Sequence, residues 1–211
     1  MTEPRLFTIG VDIDGVIADF VSVFRAEVLR EYGVELADSD IRAHDLYLAL
    51  GVSKDEAREM IRRTLDHQAL ALYPGAADGL AALVKSGLEV HIVTARNGGG
   101  AGAVSAAAEW LVQRRLHEGV HYHRVDVVPE GGKHTIASHM HAFVDDNLDE
   151  VIALAEHSSP DQLLIVFDHP WNQTIDVHSR FVRVGNWPEL VDTVNAAAHP
   201  LSARGTPVTT A

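Results

Sequence analysis

Short apolar runs alternate with segments of helical spacing along most of the chain. The first run, residues 6–11, contains β-branched residues and stops at Asp12, which predicts a buried strand. Further strands are predicted at 88–93, 125–128, 142–144, 163–167 and 181–184, the last of them at a sheet edge. Helices are predicted at 76–85, 103–118, 133–139, 147–157 and 187–197. This alternation predicts a doubly wound parallel sheet of the Rossmann-like α/β class.

The segment between the first two strands has helical features only. Apolar residues recur at helical spacing over residues 20–32, and Asp38 begins a second helix. Ser53, followed three residues later by Glu56, forms a capping box that opens a third helix. We therefore expect a small all-helical insertion here.

The chain divides accordingly into a core, an inserted cap and a tail. Residues 1–19 and 74–198 form the predicted α/β core, and residues 20–73 form the cap. The tail, residues 199–211, is expected to be disordered. A glycine-rich run at 98–102 predicts a mobile loop in the core.

Composition narrows the classes of protein. Of the 211 residues 46% are hydrophobic, which suffices for a packed core, and no apolar run is long enough to span a membrane. Seventeen Lys and Arg against 30 Asp and Glu give a formal net charge of −13, without the basic stripe that binds a nucleic acid polymer. Cysteine is absent, which excludes disulfides and thiolate sites. With no secretory leader visible, we expect a cytoplasmic protein that binds neither membranes nor nucleic acid.

Residues able to do chemistry stand where predicted strands end. They are Asp12 and Asp14, then Thr94, Ala95 and Arg96, then Asp145 and Asp146. Because the carboxyl ends of parallel strands open on one edge of the sheet, the four carboxylates are expected to converge. A hard dication relieves their repulsion, and Mg²⁺ is the usual choice where a substrate phosphate supplies further oxygens. Lys133 can add a compensating positive charge.

Each of these pieces alone has an ordinary structural explanation. A DxDG sequence is usual in turns, and an Asp-Asp pair is usual at the N-terminus of a helix. Their order and their placement at successive strand or helix ends favour a single site.

The same segments resemble the four motifs of the haloacid dehalogenase superfamily of phosphohydrolases. VDIDGVIAD resembles the first motif, IVTAR the second, Lys133 the third and FVDDN the fourth. The spacing from Lys133 to Asp145 is also usual for the superfamily, and the helical segment after the first motif resembles its C1 cap. The resemblance implies a phosphatase that acts on monoesters.

The resemblance also implies the catalytic roles. Asp12 would be the nucleophile that forms an aspartyl-phosphate, and Asp14 would be the acid and base. Lys133 would offset the charge of the transferred group.

Two sets of binding residues follow from the same resemblance. Mg²⁺ would be held by Asp12, the backbone carbonyl of Asp14, Asp145 and, in support, Asp146. The substrate phosphate would be bound by the Thr94 hydroxyl and by nearby backbone N–H groups such as that of Ala95, and Arg96 would contact either the phosphate or the rest of the substrate.

A finer resemblance, to the deoxyribonucleotidase-like branch, rests on DGVIADF, YPGA and FDHPWNQ followed by RVGNW. It implies a 5′-nucleotide as substrate, with deoxynucleotides among the candidates. A sugar phosphate or a phosphorylated biosynthetic intermediate is the alternative. The partner would be a small phosphorylated metabolite, bound by a monomer or a homodimer.

Aromatic residues and histidines outside the motifs have open roles. Candidates to line the cap are Phe20, Phe24, His44 and Tyr47. The i, i+4 spacing of the two phenylalanines favours the core of the cap instead. Trp171 and Asn172 are expected in either a turn near the site or a packed corner, and the corner is favoured. A solvated surface, rather than a transition-metal site, is expected for His121, His123, His134, His139 and His141.

Two interpretations of other classes stay open. A non-catalytic binding module could use the same scaffold, although Asp12, Asp14 and Lys133 are all present. A histidine-rich metal-binding protein would bind Zn²⁺ or Ni²⁺ independently of Asp12.

Overall fold

The computed structural model describes residues 6–41, 50–65, 70–96, 100–173 and 180–202. The strands are β1 (Thr8–Val11), β2 (Glu89–Thr94), β3 (Arg124–Val127), β4 (Ala142–Asp145), β5 (Leu163–Phe167) and β6 (Phe181–Val184). The helices are α1 (Phe20–Tyr32), α2 (Lys54–Leu65), α3 (Ala76–Lys85), α4 (Ala103–Gln113), α5 (His134–Ala137), α6 (Leu148–His157) and α7 (Trp187–Ser202). Single 3₁₀ turns span Asp38–Ile41 and Pro170–Asn172. None of the helices in these ranges is long and apolar enough to cross a membrane.

The six strands form one parallel sheet in the order β3-β2-β1-β4-β5-β6. Val11 of β1 is in register with Ile92 of β2 on one side and with Val144 of β4 on the other. The predicted doubly wound parallel sheet is confirmed, and β6 lies at its edge as expected. The strand order reverses between β1 and β4, which is where ligands bind in open parallel sheets.

The central strands are buried on both faces of the sheet. Ile9 and Val11 of β1 are fully buried, and the successive residues Leu164 and Ile165 of β5 pack into two different apolar clusters. Because successive side chains of a strand point to opposite faces, these two clusters cover the two sides of the sheet. Burial on both faces is typical of parallel strands flanked by helices, and it fixes the positions of the strand ends.

The two longer helices of the segment after β1 both have side-chain caps, and the cap of α2 is the one predicted from the sequence. The backbone N–H of Ser22 donates to Asp19 Oδ1 at 3.0 Å to begin α1, and Gly33 ends that helix with φ of 67°. At α2 the N–H of Ser53 donates to Glu56 Oε2 at 2.8 Å, and the N–H of Glu56 lies 3.3 Å from Ser53 Oγ. This reciprocal pair is the predicted capping box.

The same segment has an apolar cluster of its own, formed by Phe24, Val28, Leu36, Ile41, Leu50 and Met60. A separate cluster agrees with a compact helical insertion, and the division into core and cap stays a prediction. At the predicted second helix the structure shows a 3₁₀ turn from Asp38. His44, Tyr47 and residues 98–99 of the predicted glycine loop lie outside the described residues.

Two helices end elsewhere than predicted. Helix α4 stops at Gln113, not 118, because Arg115 adopts φ of 61° and the N–H groups of Arg115 and Leu116 bond Val112 O and Leu111 O. This is a Schellman termination without the usual glycine. Helix α7 continues through Pro200 to residue 202, so residues 199–202 are helical where a disordered tail was expected. A proline so near the end removes only one backbone hydrogen bond. Residues 203–211 lie outside the described chain.

Helix α7 is fixed to the first loop of the core through Trp187. Its indole Nε1 donates to Val16 O at 2.9 Å, and its ring lies against Gly79 of α3, where a Cβ would come within 3.0 Å of the ring. Trp187 itself is fully buried. Helix α3 can therefore accept no side chain at residue 79.

Replacing Gly79 by alanine should destabilise the protein. Helix propensity alone would favour alanine by about 1 kcal/mol, but overpacking against a buried ring costs about 1–3 kcal/mol. Urea unfolding measures the change in the free energy of unfolding caused by Gly79→Ala. The same measurement on Ala81→Gly, in the same helix, gives the size of the helix-propensity effect alone. A Gly79→Ala protein more stable than wild type would contradict this packing.

Candidate active site

The carboxyl ends of β1 and β4 bring two aspartates together. Asp12 directly follows β1, and its backbone N–H donates to Val144 O at 3.1 Å. Asp145 is the last residue of β4, and its Oδ1 accepts from the N–H of Asn147 at 2.9 Å. Both side chains are buried, with Asp12 4% and Asp145 0% exposed. The strand pairing thus places both carboxylates at the point where the strand order reverses.

Lys133 joins these two aspartates. Its Nζ lies 2.9 Å from Asp12 Oδ1 and 2.7 Å from Asp145 Oδ2, and its side chain is 5% exposed. Burial by itself would lower the pKa of Lys133, but the two carboxylates outweigh that effect and raise the pKa above its usual range. Lys133 is therefore a permanent cation between two neighbouring strands.

Asp146 adds a third carboxylate to this group. One oxygen from each of Asp12, Asp145 and Asp146 lies within 4.8 Å of the others. Burial, opposed by Lys133 and reinforced by Asp145, raises the pKa of Asp12 to about 8. Burial and the charges of Asp145 and Asp12 also raise the pKa of Asp146 well above its usual range.

One lysine thus faces three carboxylates, and burial together with the neighbouring negative charges raises the pKa of Asp12 and of Asp146. The available ligand atoms are all oxygens, the donor type that Mg²⁺ and Ca²⁺ prefer. A divalent cation would remove the electrostatic cost, and these residues fit one.

Of the four carboxylates expected to converge, Asp14 is outside the group of three and is paired with Arg96. Arg96 Nε lies 3.0 Å from Asp14 Oδ1 and 2.8 Å from Oδ2, and Arg96 Nη2 also donates to Oδ1. The backbone N–H of Arg96 donates to Thr94 Oγ1 at 3.2 Å. The loop after β2 therefore reaches the loop after β1, as the sequence predicts, with Ala95 half-buried between Thr94 and Arg96.

The loop after Asp14 depends on a glycine. Gly15 has φ of +82°, and a Cβ at this position would lie within 3.0 Å of the Asp146 carboxylate. Only glycine combines this left-handed backbone with so close an approach. Gly15 thereby lets the first and fourth motifs meet.

Three residues after β5 also reach the site. Sequence reasoning considered this position for Trp171 and Asn172 without favouring it, and missed His169. Trp171 Nε1 donates to Asp146 Oδ2 at 2.9 Å, and Asn172 Nδ2 donates to Asp146 O at 2.9 Å. His169 Nε2 lies 2.5 Å from Gly15 O, and burial lowers the pKa of this imidazole.

The expected packed corner is therefore present, with Asn172 buried, and it holds Asp146 in place. The sequence position could have indicated this role, because the corner follows the end of a strand and therefore lies at the same edge of the sheet as the aspartates.

Two of the aromatic candidates, Phe20 and Phe24, pack in the apolar cluster of the helical segment. Phe24 is buried in the apolar cluster of the helical segment and stacks on Phe20, with ring centroids 5.5 Å apart. Phe24 therefore belongs to a core, as its spacing favoured, while Phe20 is half-buried against it. Within the described ranges, the group of three candidate ligands contains aspartates and no histidine. The histidine-metal interpretation thus gains no support there.

Comparison with known proteins identifies the family. A family model described as "5′ nucleotidase, deoxy (Pyrimidine), cytosolic type C protein" matches residues 5–199. The chain belongs to this nucleotidase family. Together with its four motifs, the membership makes the protein a phosphoric monoester hydrolase of the haloacid dehalogenase superfamily. No sequence match is found among proteins of curated function.

Solved structures share the fold of this nucleotidase family member. A haloacid dehalogenase family hydrolase from Deinococcus radiodurans R1, with bound phosphate and sodium, has 17% identity and a TM-score of 0.60, covering 92% of this chain and 97% of its own. A haloacid dehalogenase-like hydrolase from Streptococcus pneumoniae has 15% identity and a TM-score of 0.55, covering 89% and 98%. One from Ehrlichia chaffeensis has 15% identity and a TM-score of 0.56, covering 93% and 99%. At these identities the likeness concerns the fold alone.

Replacing Gly15 by alanine should inactivate the nucleotidase family member. The new Cβ must displace the Asp146 carboxylate, and a misplacement of about 1 Å in such a site can cost about 10²-fold in rate. Phosphate release by Gly15→Ala measures the loss. Gly119→Ala is the matched control, because Gly119 has φ of +77° with no atom within 4 Å of its added Cβ. Equal activity of the two variants would show that contact with Asp146 is unimportant.

Proposed function

We propose that the protein is a Mg²⁺-dependent phosphatase that hydrolyses a 5′-nucleotide, a deoxynucleotide first among the candidates, through an aspartyl-phosphate on Asp12. The observation that carries the proposal is the buried group of Asp12, Lys133 and Asp145 at the point where the strand order reverses. Asp12 can act as a nucleophile there, Lys133 is a fixed cation, and the excess of carboxylates can bind a metal ion. This combination suits transfer of a phosphoryl group to a carboxylate.

Asp12 is the proposed nucleophile. A carboxylate oxygen of Asp12 attacks phosphorus, and the bond from phosphorus to the ester oxygen breaks. Water then attacks the phosphorus of the acyl phosphate, which releases inorganic phosphate and restores Asp12. Lys133 holds one Asp12 oxygen throughout and offsets the negative charge of the transferred group.

Asp14 is the proposed acid and base. It gives its proton to the leaving alcohol oxygen in the first step and takes a proton from the attacking water in the second. Asp14 is two residues after Asp12 on the same loop, so a phosphate ester bound at Asp12 would lie close to it. We further propose that Thr94 Oγ1 and the N–H of Ala95 bind the phosphate oxygens.

The metal would be held by the carboxylates of Asp12, Asp145 and Asp146, with the backbone carbonyl of Asp14. When bound, Mg²⁺ supplies positive charge that stabilises the transferred phosphoryl group. The raised pKa values of Asp12 and Asp146 support the need for this charge. Trp171 and Asn172 orient Asp146 for it, since groups that hold a ligand in place tune metal affinity.

The substrate class rests on the family. Its description names a deoxy, pyrimidine 5′ nucleotidase of the cytosol, which supports a deoxyribonucleoside monophosphate and a cytoplasmic location. Half-buried Phe20 follows the loop of Asp12 and Asp14 at the start of α1, where an aromatic ring could contact a base. A sugar phosphate remains the alternative substrate that the test must include.

Phosphate release with Mg²⁺ tests the proposal across deoxy- and ribonucleoside monophosphates, sugar phosphates and an aryl phosphate. We expect the highest kcat/KM for a deoxynucleoside 5′-monophosphate, and loss of activity on addition of EDTA. Asp12→Asn should fall to about 10⁻³ of wild type or below, because loss of a covalent nucleophile costs several orders of magnitude.

Asp126→Asn is the matched control, since Asp126 is a buried strand aspartate paired with Arg124 on β3. It should keep its activity. Preference for a sugar phosphate would change the substrate, whereas a folded protein that releases phosphate from no ester would overturn the proposal.

A further inference from the structure

We infer that Arg96 is a positioning residue for Asp14, and that Trp110 holds Arg96 in this role. The inference rests on the proposed function, in which Asp14 transfers protons. The juxtaposition that carries it is a buried guanidinium bonded to both oxygens of Asp14 and lying over an indole ring.

The Arg96–Asp14 contact fixes the carboxylate at two points. Arg96 Nε reaches both oxygens, at 3.0 and 2.8 Å, and Nη2 gives a further bond to Oδ1. The Arg96 side chain is only 8% exposed, so water competes little for these bonds. Contacts of this kind set the direction of a carboxylate as well as its distance, whereas the single ammonium of a lysine constrains mainly the distance.

Arg96 is itself fixed at two further points. Its guanidinium carbon lies 4.4 Å from the centroid of the Trp110 ring, within the range of a cation–π interaction. Its backbone N–H donates to Thr94 Oγ1, which ties it to the end of β2. Trp110 is buried on α4, so the ring is a rigid support. These contacts make Arg96 part of the scaffold.

This arrangement matters for a group that must transfer a proton twice. A carboxylate has about four acceptor positions, and Arg96 occupies part of them, which leaves the remainder for the leaving alcohol and the attacking water. Arg96 thus acts through Asp14, and phosphate contact by Arg96 would require it to leave this pair.

The dependence of kcat/KM on the leaving group distinguishes a residue that positions Asp14 from a residue that binds the substrate phosphate. The second-order constant kcat/KM reports steps up to formation of the aspartyl-phosphate, and only a poor leaving group needs a proton there. Arg96→Ala should lower kcat/KM for a deoxynucleoside monophosphate by about 10²-fold, and that for p-nitrophenyl phosphate much less. Arg96→Lys should rescue part of this loss, and it serves where the alanine variant does not fold.

Two supporting variants isolate the effect. Trp110→Phe should reproduce the contrast between the two esters in weaker form. Arg114→Ala is the matched control, because Arg114 also lies over the Trp110 ring, at 4.2 Å, but bonds Leu70 O. It should leave the ratio of the two kcat/KM values unchanged.

A double-mutant cycle with Asp14→Asn completes the test. If Arg96 acts through Asp14, adding Arg96→Ala to Asp14→Asn should cause little further loss, and the thermal shifts of the single variants should not add. Equal losses on both esters, or additive losses in the cycle, would assign Arg96 to the phosphate and overturn the inference. Wild-type protein that hydrolyses neither ester would instead overturn the proposed function.

Discussion

The site depends on a lysine ammonium buried between two carboxylates. Lys133 lies within 3 Å of Asp12 and Asp145, and all three side chains are almost inaccessible to water. Burying such charges costs several kcal/mol per ion, and removing one partner would leave the others uncompensated. The ion pairs therefore oblige β1, β4 and the turn before α5 to keep their relative positions. The carboxyl edge of the sheet is rigid for electrostatic reasons as well as for packing.

The remaining negative charge connects this rigidity to function. Asp146 contributes a third carboxylate that Lys133 cannot neutralise, and burial together with the neighbouring negative charges raises the pKa values of Asp12 and Asp146. A divalent cation would balance the charge that Lys133 leaves on the three carboxylates, whereas a neutral ligand would not. Gly15 allows the first and fourth motifs to approach, and Trp171 holds the supporting aspartate. Fold, charge and the proposed reaction thus depend on the same few contacts.

The sequence alone is sufficient for the sheet and for the residues at its strand ends. Asp12, Thr94 and Asp145 could be grouped because parallel strands put their carboxyl ends on one edge, whatever lies between them. The side-chain contacts that complete the site could not be predicted from the sequence. Arg96 meets Asp14 across 82 residues, and Trp171 meets Asp146 across 25.

No local pattern encodes such pairs, since they depend on side-chain directions in the folded state. The ends of α4 and α7 were also misplaced. A non-glycine residue takes a left-handed conformation in one case, and a late proline is tolerated in the other.

The most direct test of the account is to look for phosphate on Asp12. Wild-type protein mixed with ³²P-labelled substrate and quenched in acid should carry a label that hydroxylamine removes, and peptide mapping should place it on Asp12. Asp12→Asn should carry none, while Asp126→Asn should be labelled as wild type is. Phosphate release without a labelled protein, or a label on another residue, would contradict the assignment of Asp12 as the nucleophile.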